Sequence, residues 1–179
     1  MQSKVRVARH PMHPMLVMLP TAMFPLLVLL DVLRYVYPAD AAFWTIGFWV
    51  ALVGVLTTIA AAVPGIVDLS AIPNESRAHR TALLHLVNGL VVLALFLVSL
   101  GIRWPAGSGD ARLAWATTID VLGLLAITLQ GWLGGELVYK HHIGVLNQAE
   151  GADPVTLEAG STERTYAPGA SRRPGAERP

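Results

Sequence analysis

Two imidazoles stand three residues apart in His10-Pro11-Met12-His13-Pro14, directly ahead of an apolar run that opens at Met15. Imidazole nitrogens ligate metals and carry protons near neutral pH, so the chemistry turns on what comes to lie opposite them. Four further histidines, His79, His85, His141 and His142, and the carboxylates Asp31, Asp68 and Asp120 are scattered along the chain. There is no cysteine. Disulfides, thiolate metal sites, iron–sulfur clusters and thioether-linked haem are therefore excluded. A metal or cofactor would be held by nitrogen or oxygen ligands, or by Met sulfur.

The elements that position these groups follow from composition. Of 179 residues, 54% are hydrophobic and only 14% charged, against about 25% charged in a typical soluble domain. With apolar runs long enough to cross a bilayer, this places the chain in the membrane class. A formal net charge of +1, with no gathered basic region, argues against a nucleic-acid partner. No glycine-rich phosphate loop, serine nucleophile elbow or Glu-x-x-His ligand helix is present, so no soluble-enzyme chemistry is indicated.

Residues 1–9 form a basic N-terminal segment with Lys4, Arg6 and Arg9. The apolar run behind it is longer than a signal-peptide core and lacks a small-residue cleavage site, so it reads as a retained helix over about 15–36, kinked at Pro20 and Pro25. Further helices are expected over about 43–67, ending at Pro64-Gly65 and Asp68, over 81–102 with Asn74 as the upstream cap, and over 113–139. Residues 105–110 read as a turn. Residues 149–179, rich in Gly, Pro, Ala, Arg and Glu, are expected to form a disordered tail. The fold class is thus all-α, an up-and-down four-helix bundle in the membrane over 10–148.

Four spans return both termini to one side. Near the spans that side carries Lys4, Arg6, Arg9, Arg77, Arg80 and Lys140, and the other Arg34, Arg103 and Arg112. The positive-inside rule puts the first set, and both termini, in the cytoplasm of a bacterial plasma membrane. All six histidines and Asp68 then arrive at the cytoplasmic boundary. The outer half keeps Asp31 and Asp120, with Arg34 and Arg103 as their nearest pairing candidates.

Helical spacing picks inward faces: Gly47, Ala51, Gly54, Thr58, Ala61, Gly65 and Asp68 on the second helix; Thr81, His85, Asn88, Val92 and Ser99 on the third; Asp120, Gly123, Ile127, Gly131 and Gly134 on the fourth. His13 and Asp31 share a face of the first. Polar groups in a membrane face the bundle interior, although small residues at this spacing also serve plain helix packing.

The order His10-Pro11-x-His13-Pro14-x-Leu16-Val17, Gly65-x-x-Asp68 with Ile72-Pro73, His85-x-x-Asn88, and Gly131-x-x-Gly134-Gly135-x-Leu137-Val138-Tyr139 with His141 and Gly144-Val145 resembles the domain of unknown function 2231 family. Those are uncharacterised four-span bacterial membrane proteins. The resemblance covers roughly 9–146. His142 departs from the pattern, where that family more often has Gly, so the resemblance selects His141 as the ligand candidate. At the level of architecture the family is also similar to four-helix b-type cytochromes, which implies a haem b- or metal-binding electron-transfer subunit with a redox or membrane-protein partner. Cofactor contacts would fall to His13, His85, His141 and Asn88, with His13 and His85 as the preferred pair. A bare metal would draw on His10, His13, His85, His141 and Asp68, and Asn88, Asp68 or Glu75 would orient the imidazoles. The outer half offers no second ligand set, so at most one inner site is expected. Two other readings stay open: a non-catalytic membrane scaffold or assembly partner, and a small proton-coupled transporter.

Overall fold

The computed structural model describes residues 3–8, 10–104 and 109–145. Four segments in it are helical, long and apolar enough to cross a membrane: Met12–Val36, Ala42–Leu69, Arg77–Arg103 and Asp110–Tyr139. At about 1.5 Å per residue, helices of this length exceed the roughly 30 Å apolar core of a bilayer. Inside such a core every backbone amide must be satisfied within its own segment, and the helix does that.

The first span is broken at Val17 into α1 (Met12–Leu16) and α2 (Met18–Val36). Proline explains the break, since Pro20 has no amide hydrogen to donate to the Leu16 carbonyl. α3 (Ala42–Leu69) runs through Pro64-Gly65 and stops at Ser70, close to the end expected at Asp68. α4 is Arg77–Arg103. Its cap is Ser76, whose hydroxyl accepts from the His79 amide at 3.0 Å, and not Asn74. α5 is Asp110–Tyr139. The expected turn at 105–108 and the tail at 149–179 lie outside the described residues, as does Arg9.

Each helix packs on its neighbours in sequence, and α5 closes the ring against α2. The result is the up-and-down bundle expected. Its centre is apolar. Phe24 and Phe96 are fully buried and stacked, among Leu27, Val50, Ala51, Val55, Val92 and Ile127. Gly54 and Gly123 make this stack possible, because a side-chain carbon on either would overlap a phenyl ring. Above and below the stack lie two polar tiers.

Ahead of the bundle, β1 (Arg6–Val7) and β2 (His10–Pro11) pair antiparallel as a short hairpin. Ala8, in its turn, sits at φ 49°, a left-handed conformation. The hairpin is fastened to the bundle at Asp68. That carboxylate accepts from the Ser3 hydroxyl at 2.8 and 3.0 Å and from the Lys4 amide at 2.7 Å.

Candidate functional site

α1 delivers His13 and α4 delivers His85 to the same end of the bundle. Their ring centroids are 5.9 Å apart and their planes 78° from parallel. Both are partly buried. Small residues give them room: a side-chain carbon on Gly65 would stand 2.8 Å from Nδ1 of His13, and one on Gly134 3.3 Å from Cε1 of His85. Gly65 and Gly134 thus accommodate the imidazoles, and Gly54 and Gly123 accommodate phenyl rings.

Hydrogen bonds fix which ring nitrogens carry protons. Nδ1 of His13 lies 2.8 Å from the Ala61 carbonyl, which can only accept. Nδ1 is therefore the protonated nitrogen, and in the neutral ring Nε2 keeps its lone pair. A backbone carbonyl on the far nitrogen is the usual support of a metal-ligating histidine.

His85 is constrained through a longer chain. The amide nitrogen of Asn88 donates to the Ala126 carbonyl at 2.9 Å and to Oε1 of Gln130 at 2.7 Å. This leaves the Gln130 amide nitrogen to face Nε2 of His85 at 3.0 Å, where it must be the donor. The His85 proton then belongs on Nδ1, a buried atom with no hydrogen-bond partner. Asn88 therefore does orient an imidazole, but through Gln130.

Sequence reasoning missed Gln130 and put Gly131 on the inward face. Gly131 is exposed with open space around it, and Gln130 turns inward. An uncharged hydrogen-bonding side chain in mid-span was the available signal, because lipid offers it no partner.

The other expected ligands go elsewhere. Nε2 of His141 faces the Thr81 hydroxyl at 3.2 Å. Nδ1 of His10 faces the Ala8 carbonyl at 2.9 Å within the hairpin. Asp68 holds the N-terminal segment, and Glu75 is exposed in the α3–α4 connection. Among the described residues no three His, Asp or Glu side chains gather closely enough to hold a metal. Of the five residues named for a bare metal, His13 and His85 are the two whose rings approach one another. His142 adopts φ 53°, a backbone conformation that glycine takes freely, which gives a physical reason for Gly at that position.

The opposite polar tier is built on Arg103, the last residue of α4. Its Nη2 donates to Asp31 of α2 at 2.6 Å and to Asp120 of α5 at 2.8 Å, and its Nη1 to Ser99 at 2.6 Å. The guanidinium lies 5.3 Å from the ring centre of Trp44 and against Gly47. Asp31, one turn before Arg34, is thus bonded by Arg103. Arg34 donates to the Pro38 carbonyl. Removing one member of such a buried set strands the others and costs about 3–5 kcal/mol.

Compared with known proteins, residues 9–147 match the family described as "Predicted membrane protein (DUF2231)". No curated protein matches the chain, and no solved structure does.

Proposed function

The chain belongs to the DUF2231 family of predicted membrane proteins, and we propose that it is an electron-transfer subunit binding one metal centre between His13 and His85. The observation that carries this reading is their spacing. Two imidazoles on opposite sides of one metal atom, each bonded at about 2.0–2.1 Å, place their ring centres roughly 6 Å apart, and the pair stands at 5.9 Å. The Ala61 carbonyl prepares His13 for this role by leaving its Nε2 unprotonated. His85 would bind by releasing Gln130 from Nε2. A haem b iron or a bare transition ion held there would supply a one-electron couple. The separation of polar tiers by the Phe24–Phe96 stack supports a single site at one end and disfavours a proton-coupled transport path through the bundle.

We place that end in the cytoplasm of a bacterial plasma membrane. Lys4, Arg6, Arg77, Arg80 and Lys140 lie on it, whereas at the far end Arg103 is sequestered by two carboxylates, leaving Arg34 and Arg112 to count.

A second reading, a non-catalytic scaffold or assembly partner, is favoured by the closed chain Ala126–Asn88–Gln130–His85, which already uses the lone pair of His85. One experiment separates them: oxidised and dithionite-reduced absorption spectra, with elemental analysis, on detergent-purified wild type, H13A and H85A. A Soret band or stoichiometric metal lost in both variants supports the metal centre. Wild type with neither overturns it in favour of the scaffold.

A further inference from the structure

His13 and His85 offer an ion two neutral nitrogen donors, since Nε2 of each ring is the unprotonated one. The acids at this end of the bundle are engaged elsewhere: Asp68 takes the Ser3 hydroxyl and the Lys4 amide, and Glu136 pairs with Lys140. His10 and His141 face Ala8 and Thr81. Among the described residues no third His, Asp or Glu joins the pair. An ion held there keeps its whole charge. The cost of taking a charge out of water grows with its square, so this partly buried site favours a univalent ion over a divalent one.

Coordination number points the same way. Zn(II) takes four ligands and Cu(II) a tetragonal set, whereas Cu(I), with a filled d shell, accepts two nitrogens in a line. The ring centres stand 5.9 Å apart, the span of two imidazoles across one atom. A haem would have to spread its macrocycle between the rings, yet α3 stands against His13 at Ala61 and Gly65, and α5 against His85 at Gly134. A second, independent feature is the soft-donor chemistry beside the site. Met12, Met15 and Met18 recur every three residues around His13, and Met15 and Met18 are 54% and 73% exposed, outside the core. Thioethers are ligands that select Cu(I).

Resting on the metal-centre reading of this pair, we propose that the ion is Cu(I), bound by Nε2 of His13 and Nε2 of His85 and passed to them over the methionines of the first span. The ion takes the place of the Gln130 amide on His85. Both nitrogens are already unprotonated, so its binding releases no proton. Oxidation to Cu(II) calls for ligands that the pair lacks, so the couple sits at high potential, as an electron acceptor.

Anaerobic titration of the full chain in detergent with Cu(I), against a coloured Cu(I) chelator, tests this beside parallel titrations with Zn(II) and haem. One Cu(I) per chain should bind, about tenfold or more tighter than Zn(II), with the strong X-ray pre-edge peak of two-coordinate Cu(I). H13A and H85A should each weaken binding by about tenfold or more. Met15→Leu combined with Met18→Leu should slow uptake and leave affinity unchanged. Haem at one per chain, lost in H13A and H85A, overturns Cu(I) and leaves the metal-centre reading standing, as does tighter binding of Zn(II). Binding of none of the three overturns both. Uptake at the wild-type rate in the methionine variant overturns the part given to the methionines. Should H13A or H85A fail to fold, the wild-type pre-edge and the Zn(II) comparison still decide.

Discussion

The ring of Phe24 lies flat on that of Phe96, 3.8 Å between centroids and 11° from parallel. This contact separates two polar tiers that would otherwise share a continuous interior. It exists because Gly123 and Gly54 leave the rings no side chain to meet. Gly123→Ala should therefore overpack the centre and lower stability by about 1–3 kcal/mol, read as thermal unfolding in detergent. Phe24→Leu combined with it should cost less than the two changes summed, since the sites touch. Additive losses would show that the rings can move aside.

Gly65→Ala should act on the opposite tier. The new methyl would meet Nδ1 of His13 at 2.8 Å, on the atom that donates to Ala61. Loss of that hydrogen bond frees the tautomer of His13 and displaces its ring. In the metal-centre reading the variant should stay folded and lose most bound metal or haem, measured as content per protein. Full wild-type content would show that His13 is not held by this contact.

Much of this architecture is legible in the sequence. Four apolar runs define four spans because the bilayer fixes their length, and small residues at helical spacing identified Gly47, Gly54, Gly65 and Gly123 as inward positions. What could not be read was which partner each buried group chooses. Arg34 is nearer than Arg103 to Asp31 in sequence, yet Arg103 reaches it from a helix 72 positions away. Six histidines converge on one end by topology, but only packing shows that His13 meets His85 while His141 goes to Thr81. Helix ends moved for a similar reason. Ser76 outcompetes Asn74 because its hydroxyl is placed to reach the His79 amide.

His142→Gly should stabilise the protein. The position lies just beyond α5 at φ 53°, where a side-chain carbon crowds the following carbonyl at a cost of about 1–2 kcal/mol. Glycine removes that strain, as it does at many helix ends. The gain should reach about 1 kcal/mol once the greater freedom of the unfolded glycine chain is set against it. Thermal unfolding measures this, and a lower melting temperature would mean that contacts of the histidine ring outweigh the strain.

Asp68→Asn should release the N-terminal hairpin. The carboxylate accepts from two donors, the Ser3 hydroxyl and the Lys4 amide, and charge-assisted bonds of this kind are about twice as strong as neutral ones. An amide cannot accept at both positions. Limited trypsin digestion should then cut more rapidly at Lys4 or Arg6 than in wild type, with the bundle intact by its helical circular dichroism. Equal cleavage rates would indicate that the strand pairing alone holds the segment.

Gln130→Leu weighs the two readings of the histidine pair against each other. The substitution removes the amide that donates to Nε2 of His85 and leaves Asn88 with its bond to the Ala126 carbonyl. One acceptor and one donor lose partners, so stability should drop by about 1–3 kcal/mol whichever reading holds. The readings divide on content. If His13 and His85 share a metal, freeing Nε2 of His85 removes a competitor, and metal or haem per protein should equal or exceed wild type. If the amide chain is the reason His85 is present, the variant loses stability with no spectral change, and a full complement partner captured by wild type should be retained less well. A variant that keeps its fold but loses its metal as completely as H85A would show that Gln130 positions the imidazole and does not compete for it.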